Sequence, residues 1–329
     1  MNQSLTDVPG FKVGHAGIDE AATGCTVILC PPEGAAAGVD IRGGAPGVRE
    51  TGALSPVNAI EGVHAILLSG GSAFGLDAAG GIMQYLEERG IGFDTGAARV
   101  PIVPGAVIFD LAAGRGDLRP DKALGYRACQ NASSSEASRG NVGAGTGATL
   151  GKALGAEFSM KGGLGTASLK IGELVIGALV VVNSLGDVID PSTGQILAGT
   201  LNKAKTGFAN SAKLMESLAF TGIEVFGGTN TTIACLATNG QFNKTQCTKL
   251  AMMAHDGLAR AINPIHTMFD GDTIFALASG EVRADLTAVG SLGAGVLAQA
   301  VVNAVKAAES AYGFTAWKDL AGGREKSGA

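Results

Sequence analysis

Five apolar runs recur along the chain between glycine-rich turns: "CTVILC" (25–30), "VHAILLS" (63–69), "ELVIGALVVV" (173–182), "TTIACLAT" (231–238) and "TIFALAS" (273–279). They lack the polar alternation of a strand with one wet face, so they predict strands in sheets covered on both sides. Helical spacing appears between them. "GLDAAGGIMQYLEERG" (75–90) sets Leu76, Ala79, Met83 and Leu86 on one face and ends at Gly90. "TQCTKLAMMAHDGLARAI" (245–262) is a second helix, stopped by Asn263-Pro264, and the chain from Leu286 to Ala311 is a third. The pattern predicts an α/β fold with sheets held between helices. No linker rich in proline or charge divides it, so residues 1–329 are expected to form a single domain. The more polar stretch from Thr200 to Thr221 reads as a surface excursion.

Composition sharpens this picture. The 329 residues are 46% hydrophobic and only 16% charged, which calls for a large buried core. Glycine contributes 52 positions, about twice the usual share of roughly 7%. No collagen period accompanies it, so tight turns and close backbone packing are expected. A net charge of −5 without a basic stripe argues against a nucleic-acid partner. The opening "MNQSLTDVPGFKVGHAG" lacks the basic and apolar regions of a secretory signal. The five cysteines form no CxxC pair, so free thiols in a reducing cytoplasm are expected rather than disulfides or a metal site. Leu286 to Val305 carries no charge and approaches the roughly 20 residues a bilayer requires. Its Thr287, Ser291, Gln299 and Asn303, set among Ala, Gly and Val, favour a helix pressed between protein layers and no membrane partner.

Candidate chemistry is scattered along the chain, and each motif has a plain alternative. "GAGTGATLGKA" has Thr146 where a phosphate loop needs glycine and Ala153 where it needs Ser or Thr. "SGGSAFGLDAAGG" has Ser72 in place of the second glycine of a dinucleotide fingerprint. Both read as glycines that let a helix start approach a sheet or a substrate group, and no cofactor is expected. Lys152 alone reads as a solvated lysine. Asn183, closing a buried strand, reads as a turn cap or as an amide that donates to an oxyanion. Asp270 and Asp272 flank a glycine before a strand, which suggests an Asp-Gly hairpin or a carboxylate pair that manages a nucleophile's protons. His15, His64, His255 and His266 show no ligand spacing and read as structural. In "GGTNTTIACLATNG" (227–240), Gly227 and Gly228 loosen the chain just before a buried strand. The stretch is either a plain turn or a point of cleavage that makes Thr231 a new N-terminus.

Taken together, "DIRGGAPG" (40–47), "LLSGGSAFGLDAAGGI" (67–82), "PDKALG" (120–125), "VVVNS" (180–184), "TNTTIACLATN" (229–239) and "HTMFDGDTIFAL" (266–277) resemble one family. It comprises the self-processing amide hydrolases: L-aminopeptidase D-amidase/esterases, β-peptidyl aminopeptidases and endo-type 6-aminohexanoate-oligomer (nylon oligomer) hydrolases. The resemblance runs from about residue 10 to 310 in unbroken order. It implies a four-layer αββα sandwich of the N-terminal-nucleophile type, with the topology shared in outline by the ornithine acetyltransferases. It also implies autocleavage between Asn230 and Thr231 into residues 1–230 and 231–329, which stay associated. By position, Thr231 matches the nucleophile, Asn183 the oxyanion-stabilising asparagine and Lys152 the lysine near the nucleophile. Asp270 and Asp272 match the acidic pair of the oligomer-hydrolase branch, which is a serine and a glutamate in the aminopeptidases. Where relatives carry tyrosine before aspartate, this chain has Phe109-Asp110, so any role of that hydroxyl is lost or moved. The resemblance further implies a short peptide or amide substrate, no cofactor or metal, and a homo-oligomer, taken as a tetramer. The competing readings are an acyltransferase of the ornithine acetyltransferase type and a non-catalytic oligomeric binding protein.

Overall fold

The computed structural model describes residues 3–221 and 230–320. Two sheets carry the fold. The smaller orders its strands Lys12–Ile18, Thr23–Leu29, Ala65–Ser69, Gly105–Val107 and Val48–Arg49. The larger runs Gly163–Ile171, Leu174–Asn183, Thr231–Gly240, Thr273–Val282, Ala35–Ile41 and Gly62–Val63. Within it, Thr231–Gly240 lies antiparallel to Leu174–Asn183 and parallel to Thr273–Val282. Every residue of that strand is buried, which explains why its sequence shows a continuous run rather than alternation.

Helices α1 (Ala78–Glu87) and α2 (Lys122–Gln130) pack on each other and on the smaller sheet. Helix α3 (Ser211–Thr221) lies apart, and α4 (Lys244–Ala261) and α5 (Leu286–Ala307) pack together on the larger sheet. Three apolar clusters follow. One joins Ile28, Ile66 and Leu68 of the smaller sheet to Leu179, Ile233 and Phe275 of the larger. The second joins the larger sheet to α4 and α5, and the third joins the smaller sheet to α1 and α2. Capping sets where α4 begins. The Asn243 side chain accepts the Gln246 amide at 2.9 Å while the Gln246 side chain accepts the Asn243 amide at 3.0 Å. Helix α5 is long and apolar enough to cross a bilayer, yet it lies against α4 and the larger sheet, and its Asn303 donates to the Thr166 carbonyl at 2.9 Å.

Four of the five expected strands and all three expected helices are present, with three instructive differences. The run 63–69 is not one strand: it breaks at buried His64, so Val63 pairs in the larger sheet and Ala65 in the smaller. Apolar periodicity is blind to such a change of sheet. The strands Ala35–Ile41 and Gly163–Ile171 were not expected, because their small residues resemble turns. Those residues are small because helices sit directly on them. A Cβ on Gly38 would come 2.1 Å from the Thr248 nitrogen of α4, and one on Gly165 would come 2.1 Å from the Ala300 carbonyl of α5. The polar stretch 200–221 ends in α3 rather than in loop throughout.

This contact gives the first prediction. Gly38→Ala forces backbone against backbone and should destabilise the protein by about 1–3 kcal/mol, as overpacking does. Chemical denaturation with an unchanged slope and a lowered midpoint is the expected result.

Candidate active site

Pairing on both sides fixes the entry of the central strand. On one flank Thr231 lies opposite Asn183, the last residue of its strand. On the other, Ile233 lies beside Thr273, Asn230 bridges Asp270, and the Gly271 amide donates to the Asn230 carbonyl at 3.0 Å. Asp270 and Gly271 therefore form no hairpin; they lead into a parallel neighbour. Gly227 and Gly228 of the proposed loosened junction lie outside the described residues. Asn230 and Thr231 are both buried, and the Thr231 hydroxyl donates to the carbonyl of Asn230, the residue before it.

Asn183 and Lys152 form the second part. The Asn183 side chain caps no turn. Its Oδ1 accepts the Thr149 amide at 3.0 Å and the Lys152 ammonium at 2.9 Å, and its Nδ2 donates to the Phe109 carbonyl at 3.2 Å. Lys152 is not the solvated lysine its setting suggested. Burial pushes its ammonium down to about 7, although Asp270 and Asp110 pull the other way. A small pocket of about 70 Å³ opens beside Lys152 and Thr149, walled by Phe109, Ala112, Ala113 and Phe314.

The third part is the pair of aspartates, both fully buried. Asp270 Oδ2 accepts the amide of Thr267 at 2.8 Å and its hydroxyl at 2.5 Å, while Oδ1 is without a hydrogen bond of normal geometry among the described residues and the Leu185 amide faces the carboxyl. Burial, reinforced by the Asp272 charge, raises the Asp270 carboxyl to about 6. Asp272 accepts the Thr232 amide on Oδ1 at 2.7 Å and the His266 amide on Oδ2 at 3.0 Å. The His266 ring meets the same Oδ2 through Nδ1 at 2.8 Å, and its Nε2 lies 3.2 Å from His255 Nδ1.

The structure thus brings Thr231, Asn183, Lys152, Asp270 and Asp272 into one neighbourhood. It adds Thr149, Thr267, His255 and His266, which sequence reasoning passed over or set aside as structural. His266 precedes Asp270 by four residues and could have been found from that proximity. His255 lies on α4 and carries no local signal. Asp110 sits close by, its carboxylate taking the Thr23 hydroxyl and the Gly71 amide, both at 2.7 Å; burial raises it to about 6. That bond explains the "SGG" turn: the glycines approach a carboxylate of the protein, not a nucleotide. Among the described residues, no group of three or more His, Cys, Asp or Glu side chains is arranged to hold a metal ion.

Comparison with known proteins places the chain in a family. The family model described as Peptidase family S58 matches residues 3–318. An uncharacterized aminopeptidase of Mycobacterium tuberculosis is 42% identical over 346 residues, covering 96% of this chain and 97% of its own. A 6-aminohexanoate-oligomer endohydrolase of Kocuria sp. is 34% identical over 315 residues, covering 91% of this chain and 85% of its own. Among solved structures, a Burkholderia sp. beta-aminopeptidase superposes with a TM-score of 0.71 at 20% identity, over 100% of this chain and 95% of its own. The L-aminopeptidase D-Ala-esterase/amidase of Ochrobactrum anthropi, described as a variant of the Ntn hydrolase fold, gives 0.70 at 20%, over 99% and 94%. The chain, with its Ntn-hydrolase type of α/β fold, belongs to Peptidase family S58 and is a hydrolase of the peptidase/amidase kind.

Proposed function

We propose that this chain is a self-processing amide hydrolase in which Thr231, freed by cleavage after Asn230, is the nucleophile. The observation that carries the reading is the Thr231 hydroxyl resting on the Asn230 carbonyl at the buried entry of the central strand. We assign the layering of the two sheets and flanking helices to a four-layer αββα sandwich, in which the larger sheet takes strands from both sides of the 230/231 bond. The two fragments then stay joined by that sheet after cleavage.

In self-cleavage the Thr231 oxygen attacks the Asn230 carbonyl carbon, and its proton passes to a base. Lys152, neutral above about 7, supplies that base. The oxygen of the intermediate carries the developing charge, and the Gly271 amide already donates to it at 3.0 Å. The Asn230–Thr231 carbon–nitrogen bond then breaks, the nitrogen leaves with a proton, and the chain rests as an ester on Thr231. Water hydrolyses the ester, giving the Asn230 carboxylate and a Thr231 with both hydroxyl and α-amine free.

In turnover that α-amine, with a reference pKa near 8, accepts the hydroxyl proton as Thr231 attacks a substrate amide. Asn183 stabilises the oxyanion through its amide group. The Oδ1 of Asp270, without a hydrogen bond of normal geometry among the described residues, is an acceptor suited to the new ammonium. The amine product leaves and water releases the acyl group. The pocket between Phe109 and Phe314 suits the apolar stem of a short peptide or an ω-amino-acid oligomer.

Three outcomes test this reading. Thr231→Ala should remain a single intact chain and be inactive against a panel of amino-acid p-nitroanilides, β-peptides and 6-aminohexanoate oligomers. Intact-mass analysis beside the assay checks both points, and an active variant sinks the proposal. Precursor made by cell-free synthesis should cleave faster as pH rises through about 7, where Lys152 loses its proton, and then level off. A rise centred instead near 6 would assign the base to Asp270. Asn183→Ala should lower kcat on the order of 10²-fold or more, and unchanged turnover would remove it from the oxyanion role.

A further inference from the structure

Beyond the aspartate pair, a string of groups runs from the nucleophile's strand towards the protein surface. Asp272 Oδ2 meets His266 Nδ1 at 2.8 Å, His266 Nε2 meets His255 Nδ1 at 3.2 Å, and His255 Nε2 meets the Asp40 carbonyl at 3.1 Å. His255 is fully buried, Asp272 is fully buried, and His266 is half-buried. The string holds His266 in a conformation a non-glycine residue seldom adopts, with φ of 60°. Its backbone amide and its ring both converge on the same Asp272 oxygen.

The count of protons in this string is informative. Its two ends, a carboxylate oxygen and a backbone carbonyl, are acceptors. Each of the three links needs one hydrogen, or two lone pairs face each other. Two neutral imidazoles bring only two hydrogens. We infer that the Asp272–His266–His255–Asp40 string carries one proton more than two neutral imidazoles, held on His266, and that both histidines are positioning residues for Asp272.

The extra proton rests on His266 for reasons of geometry. Asp272 accepts two backbone amides besides the ring, so both of its oxygens are already engaged as acceptors. His255 is fully buried, and that burial pushes its imidazole down to about 4, so it stays neutral. With His255 protonated on Nε2 towards Asp40, its bare Nδ1 accepts from His266 Nε2–H, and His266 Nδ1–H donates to Asp272. Every link is then satisfied. The charged and titratable groups facing the string are Asp40 and Arg42 at its outer end and Asp272 at its inner end, with Asp270 coupled to Asp272. Because Asp272 also accepts the amide of Thr232, the string steadies the residue next to the nucleophile. Its role in catalysis rests on the reading of Thr231 given above, but the proton count does not.

The test uses the native enzyme and whichever amide of the panel it turns over fastest. ¹⁵N NMR of histidine-labelled protein at neutral pH should show one ring protonated on both nitrogens, and His266→Asn should remove that signal. A spectrum with only neutral rings overturns the inference, whatever the variants do. In kinetics, His266→Asn keeps a donor towards Asp272 and tolerates positive φ, but cannot hold the proton. Its kcat should fall about 10- to 100-fold with little change in KM, the equivalent of one charge-assisted hydrogen bond. His255→Phe removes the acceptor for His266 Nε2–H, so kcat should fall to a similar extent; His255→Gln, which accepts from His266 and donates to Asp40, should restore it. A kcat unmoved in His255→Phe overturns the string while leaving the nucleophile reading intact. An active Thr231→Ala enzyme does the reverse, leaving the NMR count standing.

Discussion

The register of the strand Thr231–Gly240 is the constraint on which the rest of the molecule depends. A strand buried on one face is already locked against a one-residue slip, since a slip turns every side chain over. This one is buried throughout and held on both edges, antiparallel on one and parallel on the other. Thr231 is thereby fixed opposite Asn183, and Asn230 beside Asp270. The proposed position of cleavage and the strength of the fold are also separable. Leu179 comes from before the 230/231 bond and Ile233 and Phe275 from after it, yet all three share the core between the sheets. Breaking that bond, as proposed, would leave these contacts in place.

The electrostatics of the site follow from the same burial. Water is excluded, so desolvation moves Lys152 down to about 7 and Asp270 up to about 6. A lysine and a carboxyl normally differ by about six units; here they nearly meet at neutral pH. Proton transfer among groups so matched costs little, which suits the role proposed for Thr231. The two aspartates remain unlike in their surroundings. Asp270 leaves one oxygen without a hydrogen bond of normal geometry among the described residues, whereas both oxygens of Asp272 are taken, one of them by a histidine. One carboxyl is thus open to change and the other is held.

Much of this was legible in the sequence, for reasons that also explain what was not. Long apolar runs such as Leu174–Asn183 announce themselves because sheets covered on both faces need them. Gly163–Ile171 does not, since the packing of α5 selects for small side chains there and erases the signal. The break at His64 is invisible because both halves of the run are apolar and only tertiary pairing separates them. At the site, the family resemblance pointed to Lys152, Asn183, Thr231 and the Asp-Gly-Asp segment. Local reading alone preferred a solvated lysine, a capping amide and a hairpin for three of these. His255 approaches Asp272 only through His266 and from a helix on the far side of the sheet, so no spacing could have revealed it.

Phe109 shows how a site can tolerate the loss of a hydroxyl. Relatives resembling this chain carry tyrosine there, and a role for that hydroxyl in orienting the oxyanion donor would make the change costly. Here, however, Asn183 donates to the carbonyl of Phe109, not to its side chain. Its other amide atom is held by the Thr149 amide and Lys152, neither of which touches the ring of residue 109 for its bond. The orientation of Asn183 is therefore insulated from the identity of the side chain. What the phenyl ring does change is the pocket, where it stands with Phe314, Ala112 and Ala113 to give an apolar wall beside a lysine and a threonine. A wall of that kind discriminates by the length and shape of an apolar stem, and only weakly by single polar substituents. The phenyl ring thus bears on the pocket wall and leaves the hydrogen bonds of Asn183 in place.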